Sequence, residues 1–175
     1  MAIFDIAVEN TIKKEGIFSD NPNDTGGKTK YGITETTLKE FGDSTSIENL
    51  TIEKAKKIYE FKYWNPLNLD KINNQEIANQ IFDFSVNCGI NTAGKAVQTT
   101  LNLLNYYTPN WLDLIIDGII GTKTLNAINS LSPNDIPYFL KILKAERYIA
   151  YKNAILKNSK NKTFIRGWIN RIWPS

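Results

Sequence analysis

The sequence predicts an all-α protein, mainly helical, with one small β-hairpin near residues 17–34. Two observations carry this prediction. Apolar side chains recur at helical spacing through most of the 175 residues. Asn-Pro and Gly-Gly pairs break that pattern between residues 20 and 27. A chain of this length fits one domain with a substantial core.

The first predicted helix covers residues 2–14. Its apolar side chains lie close to one helical face and are Ile3, Phe4, Ala7, Val8 and Ile12. Gly16 predicts the end of the helix and therefore places Glu15 in the last turn. The helix dipole is negative there, so the dipole and any burial both favour the protonated carboxyl group that a general acid needs.

The following segment predicts the hairpin. Polar turn residues lead to a short return strand at residues 31–34, which folds Asp24 back toward Glu15. A glutamate before glycine and an aspartate before Thr-Gly-Gly are also ordinary capping and turn chemistry. The residues alone therefore leave a catalytic and a structural interpretation open.

Capping and breaking residues divide the remaining chain into helices. The predicted N-caps are Thr34, Thr51, Asn74, Asn91 and Thr122. Three of these helices are predicted to stop before Gly42, at Asn65-Pro66 and at Gly89. A long helix beyond Pro137 and a short one over residues 164–173 complete the prediction.

Composition excludes several kinds of chemistry. The chain has no histidine, which removes serine-histidine, cysteine-histidine and histidine-metal sites. Cys88 is the only cysteine, so no internal disulfide or thiolate cluster forms, and we expect it to pack as a small apolar residue. Carboxylates, tyrosine and lysine remain for catalysis, and we expect no metal and no cofactor.

The formal charge of +3 is spread among acids without a dense basic run, so we expect no nucleic-acid binding. Acidic residues interrupt the apolar positions near the N-terminus, which predicts no secretory signal. No stretch reaches the roughly 20 apolar residues of a membrane span. We also expect a monomer.

The stretch from Glu15 to Thr34 resembles the signature of glycoside hydrolase family 108, the muramidases with E-G-G-Y followed by N-D-P-x-D-x-G-G-x-T-x-x-G-I. Glu15 occupies the position of the family's catalytic glutamate, and Asp24 that of its assisting acid. The resemblance implies a lysozyme-like fold in which Thr29 and Tyr31, on the return strand, line the cleft. Ile17 and Phe18 depart from it, since the family usually has Gly and Tyr there.

Residues 83–89 resemble the family's D-F-A-V-N-S-G block, and Gln98 stands at its later glutamine. That helix forms one wall of the family's sugar cleft. Asn87 and Gln98 are therefore candidates for binding acetamido or hydroxyl groups, and helix capping or backbone bridging is the open alternative. Asp83 is a candidate second acid or, preferably, a buried structural group.

Residues 116–128 resemble the D-G-x-x-G-x-x-T repeat of predicted peptidoglycan-binding modules. We favour a structural turn there over a binding site. The ending F-I-R-G-W-I-N-R-I resembles the family's C-terminus. The prediction is one domain over residues 1–175, with a catalytic half (1–89) and a peptidoglycan-binding-like half (90–175) that share a core.

The resemblance implies a peptidoglycan hydrolase, a lysozyme that cleaves the β-1,4 bond between N-acetylmuramic acid and N-acetylglucosamine. Its partners would be the glycan strands. A lytic transglycosylase that uses Glu15 alone, or a non-catalytic wall-binding or secretion-accessory protein, are the alternatives. Without a signal sequence, we expect synthesis in the cytoplasm and passage to the periplasm or wall through a holin-type pore or a specialised secretion machine.

Overall fold

The computed structural model describes residues 1–15, 18–19, 28–43, 45–105 and 111–174, without the side chains of residues 14, 15, 18 and 19. Asp24 lies outside the described residues. The described helices are α1 (Phe4–Glu15), α2 (Glu35–Glu40), α3 (Ile52–Tyr59), α4 (Gln75–Cys88), α5 (Ile90–Leu104), α6 (Thr122–Asn129), α7 (Ile136–Lys157) and α8 (Ile165–Ile172). The described strands are β1 (Phe18–Ser19), β2 (Thr29–Lys30) and β3 (Ile33–Thr34). The mainly helical prediction is confirmed.

The three strands form one antiparallel sheet in the order β1-β2-β3. Tyr31 and Gly32 connect β2 to β3 and have φ values of 53° and 74°. Two such residues are typical of a type I′ hairpin turn. The predicted return strand at residues 31–34 is therefore wrong in its first half, and Tyr31 lies in a turn. The Tyr59 hydroxyl donates to the Tyr31 carbonyl oxygen at 2.8 Å and holds this turn against α3.

Three predicted N-caps are confirmed. The side chains of Thr34, Thr51 and Asn74 accept hydrogen bonds from the backbone N–H groups of Thr37, Lys54 and Ile77. Each bond satisfies a donor that the first turn of its helix leaves without a partner. These caps set the starts of α2, α3 and α4.

The other two predicted caps are wrong. Gly89 alone joins α4 to α5 with a φ of 87°, so Asn91 lies inside α5. Gly121 precedes α6, which makes Thr122 the first residue of that helix. The helix predicted to stop at Asn65-Pro66 is α-helical only to Tyr59 and continues as a π-helical turn (Glu60–Trp64). A 3-10 turn (Asn65–Leu67) that contains Pro66 follows, so the helical backbone extends past the predicted stop.

A single cluster of buried apolar residues includes side chains from both sides of Gly89. Helix α4 packs against α1, α5 and α7, and α5 packs against α7. Val8, Phe82, Val97 and Phe139 are fully buried examples from these four helices. Buried side chains of residues 1–89 therefore contact buried side chains of the later helices.

Candidate functional site

Helices α1 and α4 lie side by side and run in the same direction. The backbone N–H of Ile3 donates to Gln75 Oε1 at 2.7 Å, and Thr11 Oγ1 donates to Asp83 Oδ1 at 3.4 Å. Both contacts join residues that are 72 positions apart. Since α1 ends at Glu15, this register places that backbone position level with Asn87 near the end of α4.

Asp83 is at the centre of a buried ion-pair cluster. Its carboxylate accepts from Arg147 Nη1 at 2.7 Å and from Arg171 Nη2 at 2.8 Å, and the residue is 4% exposed. Arg147 belongs to α7 and Arg171 to α8. The cluster therefore connects α1 and α4 to the two helices near the C-terminus. These contacts favour the interpretation of Asp83 as a buried structural residue over its interpretation as a second catalytic acid.

Asn87 is oriented by a relay of hydrogen bonds. Arg147 Nε donates to the Tyr151 hydroxyl oxygen at 2.8 Å, and this hydroxyl donates to Asn87 Oδ1 at 2.5 Å. Burial raises the pKa of Tyr151 to about 12, so its proton is present at neutral pH. Because Arg147 can only donate, the tyrosine proton must point to the amide oxygen of Asn87. The two N–H donors of that amide are then directed elsewhere.

Asn87 lines an open groove between α4 and the C-terminal helices. The groove consists of two depressions, with volumes of 580 Å³ and 800 Å³, that share Asn87, Phe164 and Trp168. The Trp168 ring stacks on Tyr151 with centroids 4.7 Å apart and an interplanar angle of 21°. Asn87 is thus both level with the end of α1 and part of the lining of this groove.

Gln98 has a different environment. It is 2% exposed, and its side chain bonds to the turn at residues 117–119. Nε2 donates to Asp117 Oδ1 at 2.7 Å and to the Ile119 carbonyl at 3.1 Å, and Oε1 accepts from the Gly118 N–H at 2.8 Å. These contacts favour backbone bridging over sugar binding as the role of Gln98. The hydrogen bond from Gln98 also keeps the pKa of Asp117 below its usual value.

Two further amides on the same face of α5 bind this loop. Asn91 Nδ2 donates to the Asp117 carbonyl at 3.2 Å. Asn102 exchanges two 2.8 Å hydrogen bonds with the backbone of Leu114. The spacing of Asn91, Gln98 and Asn102 is the sequence signal for such a face, because positions 7 and 11 residues apart lie close together on a helix. The D-G-x-x-G segment is therefore held as a structural turn.

Gly94 permits the close approach of α5 to this turn. A Cβ atom at Gly94 would lie 2.1 Å from the carbonyl oxygen of Gly118. We expect Gly94→Ala to lower the free energy of unfolding by about 1–3 kcal/mol, because the backbone must shift to relieve the overlap. Gly167→Ala is the matched control in a helix, since nothing lies within 4 Å of its added Cβ. Denaturant titration of both variants measures the difference, and equal stability would contradict the close contact.

The other predicted site residues lie around the sheet. Thr29 is half-buried in β2, and Tyr31 is half-buried in the turn that follows. The carbonyl of Tyr31 is bound by Tyr59, and its ring lies 5.7 Å from Lys30 Nζ. Asp24 and the Glu15 side chain lie outside the described residues, so the predicted approach of Asp24 to Glu15 stays a prediction.

The other chemical groups of the described residues give no further candidate. Burial raises the pKa of the Cys88 thiol to about 11, so it carries little thiolate at neutral pH. Within the described ranges, no three His, Cys, Asp or Glu side chains come together as metal ligands would. No described helix is both long and apolar enough to cross a bilayer.

Sequence models of two families match the two halves of the chain separately. Residues 8–89 match the sequence model of the family described as Glycosyl hydrolase 108. The chain therefore contains a glycosyl hydrolase 108 segment, which covers just under half of its length. Residues 95–173 match a second family, described as Predicted Peptidoglycan domain. The match to the first family ends at Gly89, between α4 and α5.

A solved structure is similar to this chain across both segments. Brucella abortus SagA matches it at 29% sequence identity and a TM-score of 0.75, over 97% of this chain and 88% of that chain. No curated protein sequence matches significantly. The two family segments identify this chain as a peptidoglycan hydrolase of the lysozyme type.

Proposed function

We propose that this hydrolase cleaves the β-1,4 bond between N-acetylmuramic acid and N-acetylglucosamine. Glu15 would protonate the glycosidic oxygen, and Asp24 would orient water or stabilise the positive charge that develops on the sugar. The observation that carries this proposal is the position of Glu15 at the last residue of α1, level with Asn87 and its cleft. The negative end of the helix dipole favours a protonated acid at that position.

The relay through Tyr151 supports a binding role for Asn87. An amide whose oxygen is occupied presents its N–H groups, which suit the carbonyl oxygen of an N-acetyl group. Asn87 makes no other side-chain hydrogen bond within the described residues. We infer that it positions one N-acetyl group beside Glu15, while Thr29 and Tyr31 border the cleft from the sheet.

Tyr151→Phe tests this orientation. The substitution keeps the stacked ring but removes the proton that fixes Asn87, so we expect a several-fold higher KM for peptidoglycan with kcat nearly unchanged. The lost hydrogen bonds should lower the free energy of unfolding by about 0.5–1.5 kcal/mol each. Tyr148→Phe on the same helix is the control, because that residue is 41% exposed. An unchanged KM in Tyr151→Phe would contradict the role of the relay.

The products distinguish the proposed reaction from its alternatives. Purified peptidoglycan is digested with the protein, and the released fragments are weighed by mass spectrometry. Fragments with added water support hydrolysis, and 1,6-anhydro ends support a lytic transglycosylase. No fragments at all would favour a non-catalytic wall-binding protein.

We also propose that the two halves fold as one domain and act as a monomer on the wall. The shared apolar cluster and the Asp83 cluster support the single domain, since each includes residues from both family segments. Delivery through a holin-type pore or a specialised secretion machine completes the proposal.

A further inference from the structure

The groove beside α8 has the composition of a carbohydrate-binding surface. Phe164 and Trp168 lie in its centre, with ring centroids 6.0 Å apart and an interplanar angle of 28°. Amide side chains surround them and are Gln80, Asn87, Asn153, Asn161 and Asn170. Aromatic rings provide an apolar face, and amides both donate and accept hydrogen bonds. We call this surface, centred on Asn87, Phe164 and Trp168, the aromatic groove.

Two of these amide side chains are available to hydrogen-bond a ligand. Asn153 and Asn170 are exposed and make no side-chain hydrogen bond within the described ranges. Gly167 leaves open space above α8, where an added Cβ would meet nothing within 4 Å. The groove is therefore wide and polar at its rim, whereas its floor is aromatic.

Charge and continuity identify the occupant. The charged residues among those that line the groove are Lys144, Lys157, Arg171 and Glu76. This net positive lining suits a peptidoglycan strand, whose muramic acids carry, through their lactyl groups, peptides with free carboxylates. Asn87 lines the groove and lies beside the position of Glu15 at the end of α1. A glycan strand bound in the groove would therefore continue past the end of α1.

We propose that the aromatic groove binds the sugars of the peptidoglycan glycan strand beyond the pair whose bond is cleaved. The C-terminal half then extends the catalytic cleft instead of forming a separate wall-binding site. This inference rests on the proposed function, because it uses the same strand and the same position of Glu15.

Substitutions at Gly167 test the groove without removing any packed side chain. Gly167→Trp places a bulky group in the groove, and Gly167→Ala is the matched control. Both are made in the full chain with Glu15→Gln, so that binding is measured without cleavage. The probe is a peptide-free glycan of eight alternating sugars, titrated by calorimetry. We expect Gly167→Trp to bind about tenfold more weakly than Gly167→Ala, and equal affinity would overturn the inference.

A second variant covers the case in which Gly167→Trp does not fold. The double variant Asn153→Ala and Asn170→Ala removes two exposed amides, and it should also weaken binding of the glycan. Unchanged affinity in this folded variant and in any folded Gly167→Trp would overturn the inference.

Cleavage by the chain that retains Glu15 separates the two proposals. If the protein that retains Glu15 cleaves the glycan and the groove variants bind the glycan normally, only the groove assignment is wrong. If the protein that retains Glu15 cleaves no glycan but the groove variants still lose affinity, the proposed reaction is wrong and the proposed binding surface is supported.

Discussion

Glu15→Gln is expected to reduce peptidoglycan cleavage by about 10²- to 10⁴-fold, the contribution that general acid catalysis typically makes. The amide keeps the shape of the side chain but has no acidic proton to give to the glycosidic oxygen. Because the substitution is at the end of α1, we expect little change in thermal stability. The measurements are the release of reducing ends from purified peptidoglycan and the melting temperature by circular dichroism.

Glu9→Gln is the matched control for this prediction. Glu9 lies on the same helix, and its side chain is 57% exposed beside Lys56. The control should retain wild-type cleavage. Asp24→Asn should lower cleavage less than Glu15→Gln if that carboxylate assists without donating the proton. Wild-type turnover in Glu15→Gln would remove the proposed role of Glu15.

Asp83→Asn is expected to lower the free energy of unfolding by about 3–5 kcal/mol, the usual cost of breaking a buried ion pair. The substitution removes the carboxylate that both arginines contact, and the Arg147 side chain is only 3% exposed. Four helices meet at this cluster, so the loss should affect the whole cooperative transition. Urea titration with far-ultraviolet circular dichroism gives the stability of each variant.

The surface pair of Glu40 and Lys62 provides the comparison. Its charged atoms are 2.7 Å apart, as are those of Asp83 and Arg147, but its side chains are 59% and 27% exposed. Glu40→Gln should therefore cost no more than about 1 kcal/mol. If Asp83→Asn costs no more than this control, the buried cluster does not hold the helices together.

The helical framework was predictable because its signals are local. Thr34, Thr51 and Asn74 each cap a helix with their own side chain, and Gly89 ends α4 with a positive φ. The caps at Asn91 and Thr122 failed for a physical reason. Glycines already occupy the positions before α5 and α6, and the Asn91 side chain contacts the distant Asp117 carbonyl.

The environment of the candidate site depends on contacts that the sequence does not reveal locally. Arg147 is 64 residues from Asp83, and Arg171 is 88 residues away. A lone arginine in a helical pattern is most often a solvated side chain, so neither was identified as a partner of the catalytic half. The orientation of Asn87 depends on the same long-range relay through Tyr151.

The one-residue junction at Gly89 limits how the specificity of this protein for a cell wall can evolve. Tethered modules are exchanged between proteins because a linker tolerates a new neighbour on either side. Here α4 passes into α5 without a linker, and both helices belong to one apolar cluster. Because replacing the second half would uncover apolar side chains of the first, we expect adaptation to a different cell wall to arise through individual substitutions and not through exchange of a module.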